Sequence, residues 1–173
     1  MRMLLAVLAG LSLAPVADAA AAPRGFEVRD VLPIERPLRP GDFVWDDEGV
    51  PPGPTRIVVD LAEEQIYVYR AGYEIGRSSI IFGADDKPTP TGTFPILQKK
   101  EHHISGKYGS PMPYSLWLTR SGVAIHGSEV DYDAVTHGCV GVPDEFAARL
   151  FDEARVGDRV LITQGWMSRL YGP

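Results

Sequence analysis

The chain contains one cysteine, Cys139, among 173 residues, so no internal disulfide can form and the core must hold by packing. Basic residues are outnumbered by acidic ones, 17 to 23, and the formal net charge is −6. Without a run of lysines or arginines there is no electrostatic footprint for nucleic acid and no patch for a membrane surface. No apolar run reaches the ~20 residues that a spanning helix needs. What is present is ordinary for a globular domain. Hydrophobic residues make up 45% and charged residues 23%, over a length that allows one domain with appendages and a real core.

The first residues set a context for that lone thiol. Arg2 precedes an apolar stretch over 4–13, broken by Gly10 and Ser12, and Ala17-Asp18-Ala19 follows as a small-x-small cleavage pattern. Residues 1–22 therefore read as a signal peptide, with an uncleaved anchor as the competing reading. The expected location is the periplasm or cell envelope, as a soluble protein after cleavage. Exported proteins tend to pair their cysteines. A single one is buried and inert, an intermolecular partner, or a reactive thiol.

Residues 23–54 carry Pro23, Pro33, Pro37, Pro40, Pro51, Pro52 and Pro54. Proline removes backbone donors, so this segment reads as an extended linker or a surface strap, with Phe43 and Trp45 as anchors. The folded domain is expected over 55–164 and a tail over 165–173. Strands are predicted at 56–60, 65–70 and 73–82 as a meander, followed by a turn-rich loop over 83–93. A short strand at 94–97 leads into a long polar loop over 98–113. Strands at 114–119 and 123–126 form a hairpin around Ser121-Gly122. Residues 127–143 read as loop. Phe146, Ala147, Leu150, Phe151 and Ala154 then recur at helical spacing, with Asp144 as the cap and Gly157 beyond the end. A strand at 160–162 closes the domain. The fold class is mainly β, a sandwich or partly closed barrel with one amphipathic helix after Cys139.

A cysteine serves as a nucleophile when a base stands beside it. His126, at a predicted strand end, is the candidate base. Gly127 next to it is expected to leave room for a substrate. Gly138 would let backbone approach a bound carbonyl, so that the amides of 137–139 stabilise an oxyanion. His137 shares a face with Cys139 in an extended segment. It either tunes the thiol, orients His126, or is structural. Zinc on His126, His137 and Cys139, with His102 and His103 nearby, is the metal alternative. H-x-C is a poor zinc spacing and the flanking glycines suit substrate access, so no metal is expected.

Three segments together resemble the L,D-transpeptidase catalytic domain. They are KPTPTGTF at 87–94, IHGS at 125–128 and THGCVGVP at 136–143, with VGDRVLI at 156–162 closing the pattern. The likeness covers about residues 55–164. It implies a mostly β catalytic domain acting on peptidoglycan stem peptides. By this likeness Cys139 attacks the carbonyl of the third stem residue, releases terminal D-alanine and forms a thioester. An amine resolves it, from a second stem or from a lysine of an envelope protein. His126 is then the proton acceptor and donor, with Thr136, His137, Gly138 and Gly127 as oxyanion and motif support. No metal or organic cofactor is implied, and acylation by carbapenems is.

Tyr114 and Tyr132 are candidate substrate contacts, with groove wall and solvent-facing loop as their plainer readings. The loop carrying His102, His103, Lys107 and Tyr108 is a candidate lid. Two departures stand out. Gly141 replaces the Arg or Asn usual two positions after the cysteine, leaving Arg120 or Arg149 as substitutes for its contact. The segment from His126 to Cys139 is also short. An L,D-carboxypeptidase, or a catalytically silent wall-binding module, remains open beside the transpeptidase. Intact-mass measurement of the exported protein should show residues 1–19 removed; a mass that retains them would overturn the signal-peptide reading.

Overall fold

The β-branched and aromatic runs of the sequence become strands because their side chains fill both faces of a sheet. The computed structural model describes residues 27–84 and 86–171, and the segment read from sequence as a signal peptide lies outside them. In chain order the elements are β1 (Phe43–Trp45), β2 (Thr55–Asp60), β3 (Gln65–Arg70), β4 (Tyr73–Ser79), β5 (Gly92–Pro95) and β6 (Gln98–Lys100). There follow β7 (Ser115–Trp117), β8 (Ala124–Gly127), β9 (Val140–Val142), α1 (Asp144–Glu153), β10 (Arg159–Thr163) and α2 (Trp166–Tyr171).

Two sheets form. One has the order β1-β4-β3-β2-β10-β5, the other β6-β7-β8-β9. β10 runs parallel to β2, and β9 parallel to β8; the other neighbours are antiparallel. The main core lies between the sheets and α1. It joins Ile57, Val59, Ile66 and Val68 to Leu116, Ile125, Val140 and Val142, and to Phe146 and Leu150 of the helix. Phe146 is fully buried and meets Phe43 and Trp45 edge-on at 5.8 and 5.5 Å. Burying one such ring contributes ~2–3 kcal/mol. The opposite face of the large sheet is covered too, by Val58, Tyr67, Tyr69 and Leu161 packed with Trp166. Burial on both faces explains why Ile57-Val58-Val59 shows no polar alternation.

Several elements depart from the sequence expectation. β1 arises inside the proline-rich segment, as an edge strand whose partner β4 offers Gly76. A Cβ there would come within 2.7 Å of the Trp45 ring, so the glycine makes room for the indole. β6 lies in the segment read as loop. Its polar residues suit an edge, and Lys99 bonds the carbonyls of Phe151 and Ala154 at the end of α1. β9 also replaces expected loop, being three residues long and therefore without readable periodicity. The N-cap of α1 is Pro143, with no side-chain cap; Asp144 is the first helical residue. The third meander strand ends at Ser79 instead of 82. Beyond it the chain crosses to the smaller sheet through single bridges, Ile81 to Gly141 and Gly83 to Thr136.

α2 lies in the segment expected to be a tail, and Asp60 holds its start. The Asp60 side chain is fully buried. It accepts backbone N–H groups from Ala62 (3.1 Å), Gly165 (2.7 Å), Trp166 and Met167 (3.3 Å). A buried carboxylate is tolerable only when so satisfied, and here it pins the last helix to β2. Asp60→Ala should lose ~3 kcal/mol of stability in urea unfolding, because the buried Trp166 amide and the part-buried amides of Ala62, Gly165 and Met167 would lose their acceptor. A loss below ~1 kcal/mol would contradict this role.

Candidate active site

Parallel pairing of β8 and β9 sets Ile125 beside Val140, His126 beside Gly141 and Gly127 beside Val142. Paired positions point to the same face of a sheet. Cys139 precedes Gly141 by two residues, an offset of ~7 Å along the strand. The sulfhydryl is half-buried and donates to the Gly122 carbonyl at 3.6 Å, in the turn before β8.

The His126 ring is 8% exposed, and its Nδ1 lies 2.8 Å from the Gly127 carbonyl oxygen. A carbonyl only accepts, so Nδ1 carries the proton and Nε2 keeps its lone pair. Burial pushes the imidazole below its ordinary pKa, against the Gly127 hydrogen bond and the Asp144 carboxylate, while nearby His103 adds to the lowering. Burial pushes the Cys139 thiol above its ordinary value, opposed by the Ala124 amide and the Lys87 ammonium. Both shifts favour a resting pair of neutral imidazole and thiol.

The Cys139 backbone is clamped. Its carbonyl accepts the hydroxyl of Thr136 and, at 3.3 Å, that of Thr89. Thr89 Oγ1 in turn accepts the Gly83 amide at 2.9 Å. Thus one hydroxyl from the 87–94 segment and one from the 136–143 segment meet on a single oxygen. Gly138 adopts φ +101°, a region open to glycine. Sequence reasoning left Gly83 and Thr89 without a role. A Cβ on Gly83 would lie 2.7 Å from the Thr89 nitrogen and 2.8 Å from the Gly138 Cα, so close backbone approach requires the glycine. Its only advance signal was its place at the head of the turn-rich loop.

The space above Gly127 is not open for substrate, contrary to the sequence expectation. A Cβ there would collide with the Asp144 carboxylate and lie 2.8 Å from Pro113 Cγ. Gly141 is likewise packed: a Cβ would lie 2.7 Å from Ile81 Cγ1 and 3.0 Å from Ser128 Cβ. No Arg or Asn can stand at that position unless Ile81 moves. Among the charges acting on the thiol is the Lys87 ammonium, which opposes the effect of burial.

His137 is exposed and stacks on Tyr108, with ring centroids 4.2 Å apart and planes 18° apart. It thereby faces the loop over 101–113 and not His126. That loop has internal structure, with Ser105 N–H donating to Ser110 O and Met112 N–H to His103 O. His103 meets Trp117 edge-on at 5.1 Å, while exposed His102 lies near Glu101. Among the described residues no three His, Cys, Asp or Glu side chains converge as a metal site would need. Tyr114 has φ +54° and packs edge-on against Phe151 of α1 at 5.9 Å. Tyr132 is 78% exposed and lines a cleft of about 800 Å³, between the strap at residues 36–40 and the crossing segment 80–84.

Residues 54–162 match the family model described as the L,D-transpeptidase catalytic domain. L,D-transpeptidase 1 of Mycobacterium tuberculosis is 28% identical over 120 residues, covering 60% of this chain and 48% of the relative. The chain therefore spans about half the length of the curated relatives it matches. Among solved structures, LD transpeptidase LdtMt1 in complex with imipenem aligns with a TM-score of 0.58 at 25% identity, covering 62% of this chain and 58% of that one. An Enterococcus faecium L,D-transpeptidase aligns with a TM-score of 0.58 at 29% identity, covering 64% and 50% respectively.

The crowding at Gly141 is open to a direct check. Gly141→Asn should cost ~2 kcal/mol in thermal unfolding, because Ile81 must give way. Gly106→Ala, where a Cβ meets nothing within 4 Å, should change stability by less than ~0.5 kcal/mol.

Proposed function

The chain belongs to the L,D-transpeptidase catalytic-domain family, and we propose on that premise that it is an exported cysteine acyltransferase acting on peptidoglycan stem peptides. The observation that carries this reading is His126. Its Nδ1 is committed to a backbone carbonyl, so its Nε2 is kept as a base, on the strand paired with the one that begins directly after Cys139.

The chemistry follows from the resting state. As Cys139 Sγ attacks the carbonyl carbon of the third stem residue, its proton passes to Nε2 of His126. The amides of 137–139 are the donors offered to the oxyanion, with Gly138 supplying the backbone turn that presents them. Collapse breaks the peptide bond. The proton moves from the imidazolium to the departing amine, D-alanine leaves, and a thioester remains on Cys139. An acceptor amine then attacks the thioester and surrenders its proton to His126. The sulfur departs as the new amide forms and recovers a proton from the imidazolium. A second stem would give a crosslink, a lysine of an envelope protein an anchored protein, and water a shortened stem.

One observation favours the catalytically silent wall-binding module, namely the burial that raises the thiol. A neutral pair is nonetheless competent when proton transfer accompanies attack, and the clamp on the Cys139 carbonyl holds the sulfur's backbone in place. The two readings separate in one series of measurements. Cys139→Ala should abolish the carbapenem adduct by intact mass, and His126→Gln should slow acylation about 10²–10⁴-fold. His126 must be neutral to accept the proton, and its pKa is lowered. The acid limb of the acylation profile should therefore fall below the ordinary histidine value of about 6.5. A limb at or above that value would contradict the site as described. Muropeptide dimers among the products identify transfer, and tripeptides alone identify hydrolysis.

A further inference from the structure

Two ammonium groups stand over the nucleophile's motif with no part in the proton transfers above. Lys87 Nζ donates to the Tyr108 hydroxyl at 2.9 Å, and Lys107 Nζ lies 5.2 Å from the centre of the same ring. The same ring stacks on His137, two residues before Cys139. The backbone of Lys87 is held as well. Its N–H donates to Ala84 O at 2.8 Å, and its carbonyl oxygen lies 3.6 Å from where a Cβ on Gly138 would sit. Main chain and side chain alike therefore tie Lys87 to the Cys139 loop.

The protein carries a net −6, and at the Cys139 loop Lys87 and Lys107 stand with the Asp86 charge acting on Lys87. Among the described residues no carboxylate forms an ion pair with Lys87; the ion pairs present lie elsewhere. An ammonium held in place by a hydroxyl, with no such ion pair, is suited to an anion brought by the substrate. On the acyl-transfer reading, on which this inference rests, the donor peptide ends in a free carboxylate one residue beyond the carbonyl that Cys139 attacks. A cation at the shoulder of Cys139 is where that carboxylate arrives.

We propose that Lys87, braced by Tyr108, binds the terminal carboxylate of the donor peptide and so selects stems with a free C-terminus. Lys87 is then a specificity-determining residue. Tyr108 is a positioning residue, since its ring anchors on His137 and its hydroxyl holds the ammonium.

The test compares a stem tetrapeptide with its C-terminal carboxamide as donors for the full chain, each measured as kcat/KM for release of the terminal residue. The native protein should prefer the acid about fivefold, the scale of a partly exposed charge pair. Lys87→Met should bring the ratio toward unity, chiefly through KM for the acid, and Lys87→Arg should retain most of it. The ratio is internal to each variant, so a fraction of misfolded protein cancels. An equal loss on both peptides would assign Lys87 a purely structural role and overturn the inference. So would a preference that survives in Lys87→Met, or its absence in the native protein. Turnover of neither peptide by the native protein would instead overturn the acyl-transfer reading, and the inference with it.

Discussion

The site depends on one close backbone approach. After Ser79 the chain leaves the large sheet and runs along the Cys139 segment. Ile81 and Gly141 exchange both backbone hydrogen bonds, at 2.9 and 2.8 Å, and Thr136 N–H reaches Phe82 O at 2.9 Å. This crossing joins the two sheets and sets the height of Cys139. It also dictates composition. Gly83, Gly138 and Gly141 each stand where a side chain would collide or where the backbone turns into positive φ. The threonine clamp on the Cys139 carbonyl can form only because the two backbones come this near.

The same packing governs the electrostatics. Enclosing His126 disfavours imidazolium, and enclosing Cys139 disfavours thiolate. Both shifts favour an uncharged pair at rest. A committed Nδ1 matters in such a site, because a neutral imidazole with the proton on the wrong nitrogen is no base at all. Gly127 supplies the carbonyl that fixes the tautomer, and the space where its side chain would stand is held by Asp144 and Pro113. The glycine of the histidine–glycine pair is thus explained by packing rather than by access.

Much of this was legible in sequence because some signals are local. The meander of β2, β3 and β4 reads from its β-branched runs and tight turns, and α1 from its apolar spacing. His126 and Cys139 were identifiable as a thiol and an imidazole, each flanked by glycine in a turn-rich setting. Other features were not legible. β6 and β9 are three residues each, too short for periodicity, and β1 hides among prolines. The stacking of His137 on Tyr108 joins residues whose relation exists only once the 101–113 loop has folded back. Gly141 looked like a missing contact, whereas Ile81 from a distant segment already fills its place.

By itself the sequence determined the chemistry on offer, a lone thiol with histidines and glycines nearby, and the run of strands and helix that would carry it. Only the tertiary structure decided how the His126 tautomer is fixed, which glycines make room for backbone and which ring His137 stacks on. The physical reason is range. Propensity and periodicity act over a few neighbouring residues, while burial, tautomer and steric exclusion are set by atoms that the chain brings together from far apart.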